Sequence, residues 1–278
     1  MATPINNHYV LITGASEGFG KALALECAAR GRNLVLVALP TPELYYLGIF
    51  IEKNYQVDVI TIEADLSDIE ECVKVYEAVI AKKIQLNILI NNAGIGGTHF
   101  FEERNARDYF RQIQLNVAAP TILARLFLPM LKSNGPAHIL NVSSLASFFC
   151  LPKKQVYSAT KSYLLAFSRS LRKELKQSNI HVSVLCPGGM NTTPSLTLAN
   201  RTCTWLSQWS IMDPEVVAEF AMDRMFRNKE VIIPGQLNRF FLALDKMLPH
   251  IIKEKLIAIQ MRKFIPIPAI HVNPTQLI

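Results

Sequence analysis

An α/β fold, a doubly wound parallel sheet in a single domain, is what this 278-residue chain predicts, and three observations predict it. Apolar, β-branched runs alternate with helix-length amphipathic segments, which is the rhythm of βαβ units. The runs are apolar on both faces, as strands buried between two helix layers must be. A glycine-rich turn joins the first strand to the first helix, where glycines serve a tight turn, close backbone approach to a pyrophosphate, and a helix N-terminus aimed at its charge.

Tyr9-Val10-Leu11-Ile12 has strand character and leads at once into Thr13-Gly14-Ala15-Ser16-Glu17-Gly18-Phe19-Gly20. Lys21 to Arg30 is rich in helix formers and ends at Gly31, a natural stop. The spacing Gly14-x-x-x-Gly18-x-Gly20 differs from the usual G-x-G-x-x-G fingerprint. Further strands are predicted at Asn33 to Ala38, Val57 to Ile62, Ile84 to Ile90, His138 to Val142 and His181 to Leu185. Between the second and third, Leu44 to Ile51 is apolar or glycine throughout. It is too short to span a bilayer, so cover by the chain's own tail or by a second subunit is expected ahead of a membrane contact. His138 enters a buried strand and reads as structural, with no Cys/His cluster of ligand spacing nearby; no metal is expected.

Tyr157-Ser158-Ala159-Thr160-Lys161 places a phenol and an ammonium four residues apart, with Ser144 13 residues upstream. On a helix both side chains share a face, where the lysine charge favours the phenolate and makes the tyrosine a usable proton donor. Alone, such a pair is more often a surface feature than a catalytic one. The rest of the chain decides between the two.

Thr13-Gly14-x-x-x-Gly18-x-Gly20, Asn91-Asn92-Ala93-Gly94, Asn116, Ser144, Tyr157-x-x-x-Lys161 and Pro187-Gly188 together resemble the short-chain dehydrogenase/reductase family, in its shorter-chain branch. The motifs stand in the family's order and separations and span about residues 9 to 192. The resemblance implies a Rossmann-like sheet, a nicotinamide cofactor and reversible reduction of a carbonyl to an alcohol. Tyr157 is then the general acid in reduction, Lys161 lowers its pKa and holds the nicotinamide ribose, and Ser144 hydrogen-bonds the carbonyl oxygen. Ser143 competes for that last role; Ser144 is preferred for its spacing, and because adjacent residues leaving a strand point opposite ways. Asn116 matches the residue that holds a proton-relay water beside the lysine, and it also reads as an asparagine satisfying backbone groups within a helix.

By the same resemblance the cofactor meets Gly14, Ser16, Gly18, Phe19 and Gly20 at the turn, and Asp65 and Leu66 at the adenine. Asn92, Ala93 and Gly94 line the adenosine side, and Pro187, Gly188, Met190 and Thr192 the nicotinamide end, with Tyr157 and Lys161 at the ribose. Asp65 also reads as part of a helix N-cap region. Where the family distinguishes NAD from NADP, at the end of the second strand, the chain has Ala38 and Leu39 and so neither the acidic nor the basic handle. Glu17 would repel a phosphate and Ser16 would donate to one, so the expectation stays at NAD(P).

Composition sets the outer bounds. Half of the residues are hydrophobic, and there is neither a linker-like stretch nor an internal repeat, so one large domain is expected. Residues 1–235 read as the dinucleotide-binding catalytic domain, with a substrate loop at about 193–212, and 236–278 as a basic amphipathic extension of it. With no apolar run of 18 residues, neither a signal peptide nor an ordinary transmembrane helix is expected. The five cysteines lack C-x-x-C spacing, which suits a reducing, cytoplasmic setting.

The net charge is +7, and Lys229 to Lys263 holds seven basic residues against three acidic ones, interleaved with apolar side chains and broken at Pro249. Packing of that tail is expected ahead of a peripheral membrane contact, and no nucleic-acid module accompanies the charge. Leu145, Ala146, Phe148, Phe149 and Leu151, with Leu196, Leu198, Trp205, Leu206 and Trp209, give an apolar substrate lining, so a small lipophilic carbonyl compound is expected. The tail is similar to that of reductases of 3-oxoacyl and 3-keto sphingoid compounds. The rival reading is a nucleotide-binding sensor or assembly protein that keeps the fold. Helices over about Arg104 to Lys132 and Tyr157 to Gln177 are expected, by resemblance, to pair in a homodimer or homotetramer.

Overall fold

The computed structural model describes residues 8–192 and 211–247. The strands are β1 (His8–Thr13), β2 (Asn33–Ala38), β3 (Val59–Glu63), β4 (Gln85–Asn91), β5 (Ala137–Val142), β6 (Ile180–Leu185) and β7 (Val231–Ile232). They form one parallel sheet in the order β3-β2-β1-β4-β5-β6-β7. The strand order reverses between β1 and β4, where an open α/β sheet parts its connections and leaves a crevice. β2 and β5 are buried at every position, which is why their sequences show no polar alternation.

Helices cover both faces. On one lie α1 (Gly18–Ala29), α2 (Pro42–Tyr55) and α7 (Pro214–Phe226), packed with Val10, Ile12, Leu34 and Leu36. On the other lie α3 (Ile69–Ala81), α5 (Ala119–Ser133) and α6 (Gln155–Glu174), with Leu11, Val35, Val37 and Leu89. Successive strand residues thus feed opposite cores, as the period of two requires. α3 starts at Asp68, whose carboxylate accepts from the Glu70 N–H. The cap is therefore Asp68, and Asp65 lies one short turn earlier.

Ala106 to Ser133 is one continuous helical run, α4 (Ala106–Ile113), a π-helical turn (Gln114–Ala118) and α5. By length and mean hydropathy alone it would cross a membrane, although the sequence holds no unbroken apolar run of that length. Here its apolar stripe, Leu123, Ala124, Phe127 and Leu131, is buried in the domain core. A helix packed on a sheet passes the same compositional test as a membrane span.

α2 shows why Leu44 to Ile51 is apolar all round. Leu44, Leu47, Gly48 and Ile51 face the sheet, and a Cβ on Gly48 would stand 3.0 Å from Thr61 Cγ2. Tyr45, Tyr46, Ile49 and Phe50 are exposed on the outer face. Four of these eight residues are thus buried in their own domain. The tail expected to cover the rest lies mostly outside the described residues. Its first part, α8 (Gln236–Met247), is joined to the domain by buried Leu242 and by Asn238, which donates to the Pro234 carbonyl.

His138 is buried between His181 of β6, with ring centroids 5.4 Å apart, and Phe226, edge-on at 5.4 Å. Burial first, and then the charges of His181 and Arg32, push its pKa down to about 4. In the unfolded chain a histidine titrates near pH ~6.5. The unfolded state therefore takes the proton first as pH falls; the contribution is complete above about 6.5 and lost by about 4. The gap corresponds to roughly 3 kcal/mol. Urea unfolding across that window is expected to show this loss, and His138→Leu is expected to flatten it. An unchanged slope in the variant would assign the acid sensitivity elsewhere.

Candidate active site

At the switch point the ends of β1 and β4 are clamped together. Thr13 Oγ1 accepts from the N–H groups of Asn92 at 3.0 Å and Ala93 at 2.9 Å. Asn92 Nδ2 donates in turn to the carbonyls of Thr13 at 2.8 Å and Gly14 at 3.1 Å. Gly14 and Gly18 have positive φ, of 63° and 53°, and a Cβ on Gly20 would sit 1.8 Å from the Gly14 carbonyl oxygen. Glu17 caps α1 through its backbone only, with no side-chain cap bond, so first-turn N–H groups remain as donors toward the cleft.

The resulting cleft has a volume of about 620 Å³ and is lined by Gly14, Ser16, Gly18, Phe19 and Gly20, by Asp65 and Leu66, by Asn92, Ala93 and Gly94, and by Thr192. The glycine cradle, the uncapped helix start and this volume fit an elongated dinucleotide with a central pyrophosphate. Ala38, Leu39, Thr41, Glu43, Glu17 and Arg111 complete the lining toward the end of β2. Pro187, Gly188 and Met190 do not line it. The Pro187 carbonyl accepts from Leu145 N–H, and Met190 bridges to Met212, so both brace the loop after β6. Trp205, Trp209 and the remainder of the expected substrate loop, 193–210, lie outside the described residues.

Asp65 has a more specific setting than a cap. Its carboxylate accepts from Ser67 N–H and Oγ, and from Arg111 Nη2 at 2.9 Å. Burial acts to raise its pKa, but the bonds from Ser67 and Arg111 outweigh that and hold it below the usual value. Arg111 had no signal in the sequence, because it reaches Asp65 from α4.

Beyond Gly94 the cleft leads to the polar residues of α6. A Cβ on Gly94 would meet Asn116 Oδ1 at 3.1 Å and Lys161 Nζ at 3.3 Å, and one on Gly96 would meet the Tyr157 ring at 3.3 Å. Ser144 leaves β5 in extended conformation, its Oγ accepting from Ala146 N–H. Ser143 turns the other way, donating from Oγ to the Lys161 carbonyl. Burial raises the Tyr157 pKa, and the Ser144 side chain acts in the opposite direction.

Lys161 is fully enclosed, and burial pushes its pKa down to about 8. Its Nζ donates to the Val142 carbonyl at 2.9 Å and lies 5.8 Å from the Tyr157 ring centre. Of the two influences on Tyr157, burial and Ser144, Ser144 supplies the lowering one. The residues share a helix face, as the spacing required, but the strand carbonyl has drawn the ammonium toward β5.

Asn116 lies in the π-helical turn and is fully buried. It accepts from Ile95 N–H and donates to the Ile95 carbonyl, both at 2.9 Å, and donates to Thr160 Oγ1 at 3.1 Å. Thr160 Oγ1 donates to the Tyr157 carbonyl. Asn116 thus satisfies backbone groups of another segment, not of its own helix, and ties the loop after β4 to α6. Such π-helical turns are frequent at functional sites. Thr160 and Thr13 carry no role in the sequence reading, although both sit inside its motifs.

Comparison with known proteins agrees with this geometry. The model of the family described as short chain dehydrogenase matches residues 8–202. An NADP-dependent 3-hydroxy acid dehydrogenase of Schizosaccharomyces pombe is 30% identical over 234 residues, 82% of this chain and 90% of that protein. A short-chain dehydrogenase from Sphingobium yanoikuyae, solved with NADPH, superposes with a TM-score of 0.74 at 29% identity, covering 90% of this chain and 95% of that one. The bulky-bulky ketone specific alcohol dehydrogenase of Comamonas testosteroni gives 0.74 at 28% identity, over 90% and 94% of the two chains. With the motifs converging on one cleft at the switch point of a parallel sheet, the chain belongs to the short-chain dehydrogenase/reductase family of oxidoreductases.

Proposed function

We propose that the protein is an NAD(P)-dependent reductase of ketones, or dehydrogenase of secondary alcohols, acting on a lipophilic substrate of the 3-oxoacyl or 3-keto sphingoid kind. The observation that carries this reading is the Tyr157 phenol, whose pKa Ser144 acts to lower, set over Gly96, one glycine beyond the dinucleotide-sized cleft. The yeast relative's 3-hydroxy acid chemistry and the NADPH held by the Sphingobium enzyme support it. So do the apolar Leu145, Phe148 and Phe149 beside Ser144.

A bound nicotinamide cofactor supplies the hydride. Ser144 donates a hydrogen bond to the carbonyl oxygen as negative charge develops there, and Tyr157 gives that oxygen its proton. The phenolate then recovers a proton from solvent, by way of a water held near Asn116. Asn116 and Thr160 keep the loop after β4 and the first turn of α6 in register, so the hydroxyl stays where the carbonyl arrives. Lys161, charged below its pKa of about 8, holds the ribose. The test is titration of the purified protein with NADH and NADPH, followed by loss of reduced-cofactor absorbance with a panel of lipophilic ketones. Failure of both cofactors to bind would overturn the reading.

The end of β2 lies where a dinucleotide's adenosine ribose is read. Glu17 and Glu43 line it, while Arg111 is already paired with Asp65. Leu39→Arg adds a second cation to a lining whose one cation among the described residues, Arg111, is already paired. It is expected to move the NADPH-to-NADH affinity ratio upward by ~10-fold or more, from a charged hydrogen bond of about 1.5–3 kcal/mol. An unmoved ratio in fluorescence titrations would place the ribose elsewhere.

A homodimer or homotetramer is proposed through α4, α5 and α6, which expose Phe110, Ile113 and Tyr163. A cytoplasmic setting suits the four free cysteines among the described residues.

A further inference from the structure

Next to Tyr157, and sharing no lining residue with the dinucleotide cleft, the loop after β4 faces the start of α6 across a small recess. Its volume is about 20 Å³, room for one compact polar group. The two loops are tied by His99 N–H, which donates to the Lys153 carbonyl at 3.0 Å. Tyr157 forms one wall, and His99, Arg104, Lys153 and Lys154 all line it; no carboxylate among the described residues does. Glu103, the nearest acid in sequence to Arg104, is turned to the Phe100 N–H at 2.7 Å.

The charge of this cluster follows from its hydrogen bonds. Arg104 Nη2 stands 3.0 Å from His99 Nε2. A guanidinium only donates, so in this contact Nε2 is the acceptor. Arg104, Lys153 and Lys154 are the cations. The Lys153 ammonium lies 3.9 Å from the centre of the Phe100 ring, and that of Lys154 lies 5.6 Å from the centre of the Tyr157 ring. Burial alone lowers the Lys154 pKa, with no acidic neighbour acting against it. Gly97 permits the gathering, because a Cβ there would stand 2.8 Å from His99 Nε2 and 3.3 Å from Arg104 Nη2.

Arg104 and Lys154, in a recess that no carboxylate among the described residues lines and that the reacting phenol walls, are arranged to receive anionic oxygens. We propose that this recess binds an anionic group of the substrate, a carboxylate or phosphate attached by a short spacer to the ketone that Tyr157 protonates. This rests on the reductase reading of Tyr157 and narrows it. An oxo acid fits, whereas a keto sphingoid base would bring its ammonium against like charges.

The test uses the cofactor-loaded protein with two matched pairs: a medium-chain 3-oxo acid with its methyl ester, and a 2-oxoalkylphosphonate with its dimethyl ester. Calorimetric binding and kcat/KM are both measured, for the wild type and for Arg104→Gln and Lys154→Gln. The anion is expected to exceed its ester by ~10–100-fold, the range of a charged hydrogen bond, and each variant is expected to shrink that ratio toward one. A larger ratio in the acid pair identifies a carboxylate, and a larger one in the phosphonate pair a phosphate group. Equal binding of anion and ester, or a ratio that both variants leave intact, would overturn the proposal. Binding decides the recess even if none of these ketones is turned over, so its failure is distinguishable from failure of the reductase reading.

Discussion

Tyr157→Phe is expected to lower kcat by about 100- to 10,000-fold, the span of a positioned general acid, while NADH and NADPH affinities stay within about twofold of the wild type. The ring remains against Gly96 and only the hydroxyl is lost. The wall of the dinucleotide cleft does not include Tyr157, which is why binding and turnover separate. Single-turnover kinetics alongside cofactor fluorescence measure both quantities on one sample. A variant that retains full turnover would remove Tyr157 from the proton transfer, and a variant that loses cofactor binding would make its hydroxyl a cofactor contact.

Gly20→Ala is expected to abolish measurable cofactor binding and to destabilise the protein by about 3 kcal/mol or more, at the upper end for overpacking. The Cβ would lie 1.8 Å from the Gly14 carbonyl oxygen and 2.7 Å from Asn92 Nδ2. Neither is the free end of a flexible side chain. The Gly14 carbonyl belongs to a turn at positive φ, and Asn92 is part of the β1–β4 clamp. Relief of the collision therefore opens the cradle and the switch point together. Thermal unfolding is expected to fall by roughly 6–12 °C on that basis. Gly31→Ala separates collision from backbone strain, since a Cβ at Gly31 meets nothing within 4 Å while its φ is +68°. A loss of only about 1–2 kcal/mol is expected there. Similar losses in the two variants would show that the contact at Gly20 is absorbed.

The features legible in the sequence are those carried within one element. Tyr157 and Lys161 lie on one helix, so their spacing alone places them on one face. Gly14, Gly18 and Gly20 lie in one turn, whose position between a strand and a helix is visible in the order of residues. Apolar runs such as Leu34 to Ala38 announce strands buried on both sides before any partner is known. Ser144 over Ser143 was also legible, because alternation along an extended chain sends neighbours to opposite sides.

What joins separate elements was not legible. Arg111 and Asp65 stand 46 residues apart in the chain and meet only because α4 crosses the end of β3. The Ile95–Asn116–Thr160 link depends on a π-helical turn, which local propensity does not announce. The position of the Lys161 ammonium was decided by the Val142 carbonyl of β5, a strand that its own helix packs against. The cations of the recess come from two loops held together by one backbone bond between His99 and Lys153.

By itself, then, the sequence determined the family, the parallel α/β architecture and the sharing of one helix face by the phenol and the ammonium, because periodicity and spacing act along the chain. The tertiary structure alone decided how those groups are tuned and which charges surround them. Hydrogen bonds and burial act through space, between segments whose distance along the chain says nothing of their contact.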